Sequence, residues 1–183
     1  MGIIKENSTN FPSDVDILID TNVIYWLTYA SSRSFPKTLK PQSYQLAEYP
    51  RLFDKIINNN NRLYYSDFST PELLSLIVRI EASLDGIENR RDVKKWLRAK
   101  GRSIVYKEIE PVLLWLESVA KPLTQQPLSS REYHKRYGEV YLDGYDIYIE
   151  DGMTKNKISY VLTDDIDFTS ITNCNVITAN KSV

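Results

Sequence analysis

The chain has 183 residues, 42% hydrophobic and 26% charged, with a formal net charge of -1 and a pI near 5.9. That length and apolar content suit one domain with a sizeable core, and the balanced charge excludes a broad attraction to nucleic acid over the whole surface. A lone cysteine, Cys174, rules out an intramolecular disulfide and a thiolate zinc cage, and a lone histidine, His134, leaves little for an imidazole site.

Any metal is therefore expected on oxygen ligands, which favours magnesium or manganese. No apolar run approaches the roughly 18 residues of a membrane span, and MGIIKENSTN lacks the apolar stretch of a signal peptide, so a cytoplasmic protein without membrane contact is expected.

Residues 1–15 are polar, hold Pro12 and read as a leading tail. Ile17-Leu18-Ile19 is aliphatic and unalternated, as in a strand buried on both faces of a parallel sheet, and predicts a strand over Asp16–Asp20. Val23, Ile24, Trp26, Leu27 and Ala30 then recur at helical spacing. Asp20 stands at this strand-to-helix switch, with Thr21 and Asn22 as good N-cap residues, and taken alone it reads as a capping acid. A loop over 31–42 precedes a helix over Ser43–Asn59 that contains Pro50.

Arg62–Ser66 reads as a second strand. Thr70-Pro71 opens another helix, whose apolar face is Leu73, Leu74, Ile77 and Ile80. Ser69 to Glu72 matches the S-x-x-E capping box, which gives Glu72 a purely structural reading. From Gly86 to about Leu128 the pattern is helical, and it holds the strongest basic cluster of the chain. Arg90, Arg91, Lys94, Lys95, Arg98, Lys100 and Arg102 are opposed there only by Asp92. The cluster reads either as a solvated helix face around Trp96 and Leu97 or as a phosphate-contacting surface carried by Arg90, Arg91, Lys94, Lys95 and Arg98.

Tyr133, Tyr137, Tyr141 and Tyr145, spaced by four, read better as a packing stripe or homodimer face than as a base-stacking surface. A helix over Leu142–Met153 and strands over Ile158–Leu162 and Asn175–Thr178 complete the pattern. The alternation predicts an α/β fold, a mainly parallel central sheet flanked by helices. One domain over residues 12–183 is expected, with a helical insertion over 86–137.

Sheets of this class bind ligands beyond the carboxyl ends of their strands. Asp20 is at such an end, and Asp164, Asp165 and Asp167 of VLTDDIDF crowd another; Glu72 opens the helix after the second strand. Each acid alone has a bland reading as a cap or polar turn. Carboxylates ~4 Å apart, however, repel by about 4 kcal/mol per pair at an effective dielectric of 20, so acids sharing one rim need a cation or shifted pKa values.

The residues resemble a family at this point. The hydrophobic-DTN opening of ILIDTNVIYWL, Glu72 in STPELL, the acid of YDIYIEDG and the closing VLTDDIDF followed by NVIT are similar to the PIN-domain nucleases, over about Asp16 to Thr178. The resemblance implies a PIN-like fold in which three or four acids hold one or two Mg2+ or Mn2+ ions and phosphodiesters, usually of RNA, are hydrolysed by metal-activated water. Position by position it implies Asp20, Glu72, Asp146 and Asp165 as the catalytic and metal-binding acids. Asp143 competes with Asp146, and Asp167 is a further metal ligand beside Asp165.

Asn22 and Thr163 are implied as groups that orient the carboxylates and water. RNA is the implied substrate, and family members that act as toxins imply a separate antitoxin-like partner. The rival reading is a non-catalytic module that binds RNA or protein.

Overall fold

The computed structural model describes residues 2–33, 35, 40–124 and 126–182. Ile17, Leu18 and Ile19 are all fully buried, and the two-residue period of a strand sends them to opposite sides: Ile17 and Ile19 join one apolar cluster, Leu18 another. Their strand, β2 (Asp16–Ile19), lies inside a six-stranded sheet. The others are β1 (Ile3–Ile4), β3 (Arg62–Tyr65), β4 (Lys121–Pro122), β5 (Tyr160–Leu162) and β6 (Asn175–Ile177). The order is β1-β6-β5-β2-β3-β4 and every pair is parallel, so the expected α/β architecture is the one observed.

The helices are α1 (Thr21–Leu27), α2 (Ser43–Asn58), α3 (Ser69–Leu84), α4 (Arg90–Trp96), α5 (Arg102–Val119), α6 (Ser130–Tyr137) and α7 (Asp146–Lys155). Ile24 of α1, Leu52 of α2, Ile77 of α3 and Leu116 of α5 fill the cluster that contains Ile17 and Ile19. Ile147, Ile149 and Met153 of α7 pack with Phe168 on the opposite face, around Leu18 and Val161. Among the described residues no helix is long and apolar enough to cross a membrane.

Several local expectations are corrected. The leading segment contains β1, which pairs with β6 through Ile3 and Ile4; two apolar residues are too few to show a period. β4 lies in the stretch expected as helical, and its Pro122 suits an edge strand, where a missing N–H goes unused. The helix expected from Leu142 starts at Asp146, because Gly144 takes the left-handed conformation (φ +49°) and Leu142 anchors a loop in the core. The four tyrosines form no single stripe, since α6 ends at Tyr137 with Gly138 as its C-cap. The loop expected over 31–42 lies partly outside the described residues, and its described start is a 3-10 turn over Ala30–Ser32.

The segment over 86–137 contains α4, α5 and α6 together with β4. A π-helical turn over Leu97–Gly101 joins α4 to α5, and the Trp96 indole, buried there, donates to Asp85. A Cβ on Gly101 would lie 2.3 Å from Cε3 of Trp96, so the turn closes only over glycine. Gly101→Ala is expected to destabilise the protein by about 1–3 kcal/mol through overpacking. Urea denaturation checks this, and a midpoint equal to the parent's would refute the account.

Candidate acidic site at the sheet switch point

From β2 the chain passes to β3 on one side, while β5, on the other side, leads to β6. This reversal opens a crevice beyond the carboxyl ends of β2 and β5. Asp20 and Thr163 are the first residues past those ends, and the Asp20 N–H still donates to Leu162 O at 3.0 Å. The buried Thr163 hydroxyl donates to Asp20 Oδ2 at 2.7 Å and accepts the Asp165 N–H at 2.9 Å. One oxygen thereby fixes two acids from different strands. Asp165 Oδ1 accepts the Asp167 N–H at 2.8 Å, so this carboxylate also makes the local turn bond its spacing suggested.

The capping readings fail for two of the acids. Helix α1 begins at Thr21, one residue earlier than expected, which makes Asp20 its N-cap by position, yet Asp20 makes no side-chain capping bond. Neither Thr21 nor Asn22 is the cap. Helix α3 begins at Ser69 with Phe68 as N-cap, and the Ser69–Glu72 capping box does not form: Ser69 Oγ and Glu72 Oε2 are both buried without a hydrogen-bond partner. The same S-x-x-E pattern is used at α6, where Ser129 and Glu132 bond reciprocally. Glu72 is left facing the crevice side of its helix start, beside Thr21, whose hydroxyl favours the charged carboxylate without completing a bond of ordinary geometry.

The acids act on one another. Burial is the main cause that lifts the Asp20 carboxyl to about 7; Glu72 and Asp165 add to the rise and the Thr163 hydroxyl opposes it. Asp146, the first residue of α7, rises to about 8, chiefly through desolvation and then through Asp20, Glu72, Asp165 and Asp143. Glu72 and Asp165 are raised for the same two reasons. Asp20, Glu72, Asp146 and Asp165 therefore share one electrostatic neighbourhood, although they come from four separate segments. The exposed Asp143 belongs to it as well, since its charge reaches Glu72, Asp146 and Asp165.

Other candidates are placed differently. Asp164 points to α2, where Tyr44, Gln45 and Tyr49 donate to its carboxylate at 2.7 to 3.0 Å. Asn22 lines a cavity of about 340 Å³ with Tyr25, Trp26, Leu76 and Arg79, and among the described residues its amide bonds to none of the acids. Arg90, Arg91, Lys94, Lys95 and Arg98 are exposed on α4 and the π turn, at the C-terminal end of α3. Asp85 ties that segment to α3 through Lys100 and Trp96, and α3 from Glu72 to Leu84 spans about 18 Å. The basic cluster is therefore not part of the acidic rim.

The carboxylates supply only hard oxygen donors, the chemistry that suits Mg2+ or Mn2+, and Glu72 Oε2 is a buried acceptor in need of a partner. Among the described residues no three His, Cys, Asp or Glu side chains are drawn together closely enough to hold an ion as they stand, so the carboxylates would have to close in on one. Elsewhere the chain neutralises its buried acids: Glu81 accepts from Tyr29 and pairs with Arg33, and Glu150 takes a two-pronged bond from Arg136. Among the described residues Asp20, Glu72, Asp146 and Asp165 have no ion-pair partner.

No protein-family model matches the chain, and no curated protein matches it either. Its structure is similar to the crystal structure of VapBC2 from Rickettsia felis bound to a DNA fragment from their promoter, at 13% identity and a TM-score of 0.48. The match covers 89% of this chain and 98% of that one.

The raised carboxyls predict how stability depends on pH. A carboxyl with a folded pKa above its unfolded value of about 3.9 stabilises the fold fully below that value, and the contribution is lost as pH rises through the folded pKa. Metal-free protein should therefore lose stability progressively between about pH 4 and pH 8. Asp20→Asn should show a smaller loss, because it removes one titration and relieves Asp146. Thermal melts in EDTA across this range test the point; parallel profiles for both proteins would contradict the shared neighbourhood.

Proposed function

We propose that this chain is a divalent-metal-dependent endoribonuclease of the PIN-domain type, which hydrolyses phosphodiester bonds in RNA. Asp20, Glu72, Asp146 and Asp165 would hold Mg2+ or Mn2+, with Asp167 beside them. The observation that supports this most is Asp20, 2% exposed, pinned by Thr163 and within electrostatic reach of three further acids, with no ion-pair partner among the described residues. A structural role for such an acid calls for a paired Arg or Lys, as at Glu81 and Glu150.

A bound ion of this kind lowers the pKa of water and neutralises charge on phosphoryl oxygens. The chain's own part is positioning. The Thr163 hydroxyl donates to Asp20 Oδ2 and the Thr21 N–H supports the same carboxylate, which sets its direction, and the backbone bonds at Asp165 fix the second carboxylate. No side chain need act as nucleophile. His134, the only histidine, is exposed on α6, outside the acid group.

Labelled single-stranded RNA incubated with magnesium or manganese should be cut, and EDTA should stop the reaction. Asp20→Asn should lose at least ~100-fold in rate, as expected when several kcal/mol of barrier lowering depend on the ion. Cleavage unchanged in EDTA or in the mutant would point to another mechanism.

The same reading gives the basic segment the role of holding the RNA backbone away from the cut. Reversing Lys94, Lys95 and Arg98 to Glu should weaken RNA binding and make its dependence on log salt shallower by about 2, since single strands contribute roughly 0.7 per neutralised phosphate. An unchanged slope in a salt titration would return the segment to a solvated face.

A further inference from the structure

Aromatic rings stand beside the acids in an ordered series. Phe68, the N-cap residue of α3, stacks on Tyr148 with ring centroids 4.6 Å apart and 19° between planes, and on Tyr145 at 6.3 Å and 29°. Tyr148 meets Tyr133 of α6 at 5.1 Å. Tyr145 is the N-cap residue of α7, so it and Tyr148 lie one turn apart on the same side of the helix start.

The backbone ties this ladder to the acids. Phe68 precedes Glu72 by one helical turn, Tyr145 immediately precedes Asp146, and the charges of Asp143 and Asp146 reach the Tyr133 phenol. The Tyr133 hydroxyl donates to Gly144 O at 3.2 Å, which holds the turn that presents Tyr145. Three rings of the ladder are half-buried, whereas Tyr145 at its end is 41% exposed.

A backed, oriented ring with open area is a surface for another flat ring. Its sequence neighbours Asp143, Gly144 and Asp146 are polar or bare, and the acids beside it favour a ligand that brings a cation with it, which suits a nucleobase carried on a phosphodiester held with a divalent ion. We propose that Tyr145, supported by Phe68 and Tyr148, stacks an unpaired nucleobase beside the phosphodiester held at the acids, so that the site selects single-stranded over duplex RNA. The placement of the phosphodiester rests on the nuclease reading above. Bases inside a duplex keep their faces within the stack, so apart from the two end pairs only an unpaired base can reach the ring.

The test is fluorescence anisotropy of a labelled single-stranded RNA oligonucleotide and of the matching blunt duplex, both with cleavage-resistant phosphorothioate linkages and with magnesium present, so that the acids keep their ion and turnover is suppressed. Tyr145→Ala should bind the single strand about 5- to 150-fold more weakly, the range for one base on one aromatic ring, and leave duplex binding unchanged. Tyr145→Phe should bind like the parent. Tyr145→Leu keeps apolar bulk without the π face and should behave like the alanine variant, which separates stacking from lost packing.

Single-strand affinity unchanged in both Tyr145→Ala and Tyr145→Leu overturns the proposal. Equal losses for single strand and duplex overturn it too. A parent that binds RNA through Tyr145 but cuts nothing with magnesium or manganese would refute the nuclease reading and leave the stacking intact. Cleavage that is indifferent to Tyr145 would do the reverse.

Discussion

The hydrogen bond from Thr163 Oγ1 to Asp20 Oδ2, 2.7 Å long and shut away from water, joins the ends of the two strands that flank the switch point. Its oxygen also receives the Asp165 N–H, so the strand ends and the turn after β5 are fixed by a single hydroxyl. Everything around it is built to hold that position. Tyr49, which gives its proton chiefly to Asp164, lies 3.0 Å from the Thr163 carbonyl and bonds with the Thr178 hydroxyl, locking the ends of β5 and β6 to α2. Valine in place of Thr163 would keep the shape and still lose both bonds, leaving a buried carboxylate oxygen and an amide unpaired.

Such a hydroxyl has to work against repulsion. Burial and neighbouring carboxylates both disfavour charge on Asp20 and Asp146, and one donated proton offsets only part of that. The sheet supplies the remaining resistance. With helices packed on both faces, the strand ends cannot splay to separate the acids without opening two apolar clusters. Core packing thus holds the charges in place; the charges do nothing for the core.

Much of this was legible in the sequence, for a physical reason. Doubly buried strands leave unalternated aliphatic runs, and an acid that ends such a run stands out, as Asp20 does after Ile17-Leu18-Ile19. Thr163 was legible for the same reason, as the residue closing Val161-Leu162. What the sequence could not display was which local bonds form. Ser69–Glu72 and Ser129–Glu132 spell the same capping pattern, and only the fold shows that Glu132 is spent on its cap and Glu72 is not. The short strands β1 and β4 lack a period, because two residues contain none. The aromatic ladder was half visible: the spacing by four caught Tyr133 and Tyr145 but grouped them with Tyr137 and Tyr141, and it could not show Phe68 and Tyr148, which reach the ladder from other positions in the fold.

The distribution of cations sets Asp20, Glu72, Asp146 and Asp165 apart from the other buried acids. The chain has 23 lysines and arginines against 24 acids, so pairing every buried carboxylate was open to it. It does pair Glu81 and Glu150, acids that serve the packing of helices, with Arg33 and Arg136. Its densest group of cations is instead set at the far end of α3, with Lys100 turned to Asp85. Had Lys94 or Arg98 stood near Asp20, a salt bridge would have lowered the carboxyl pKa values and occupied the oxygens. Keeping the two charge sets a helix length apart leaves the acids open to a cation from solution and the basic face open to an anion, two requirements that one polyanionic substrate bound with a divalent ion would meet together.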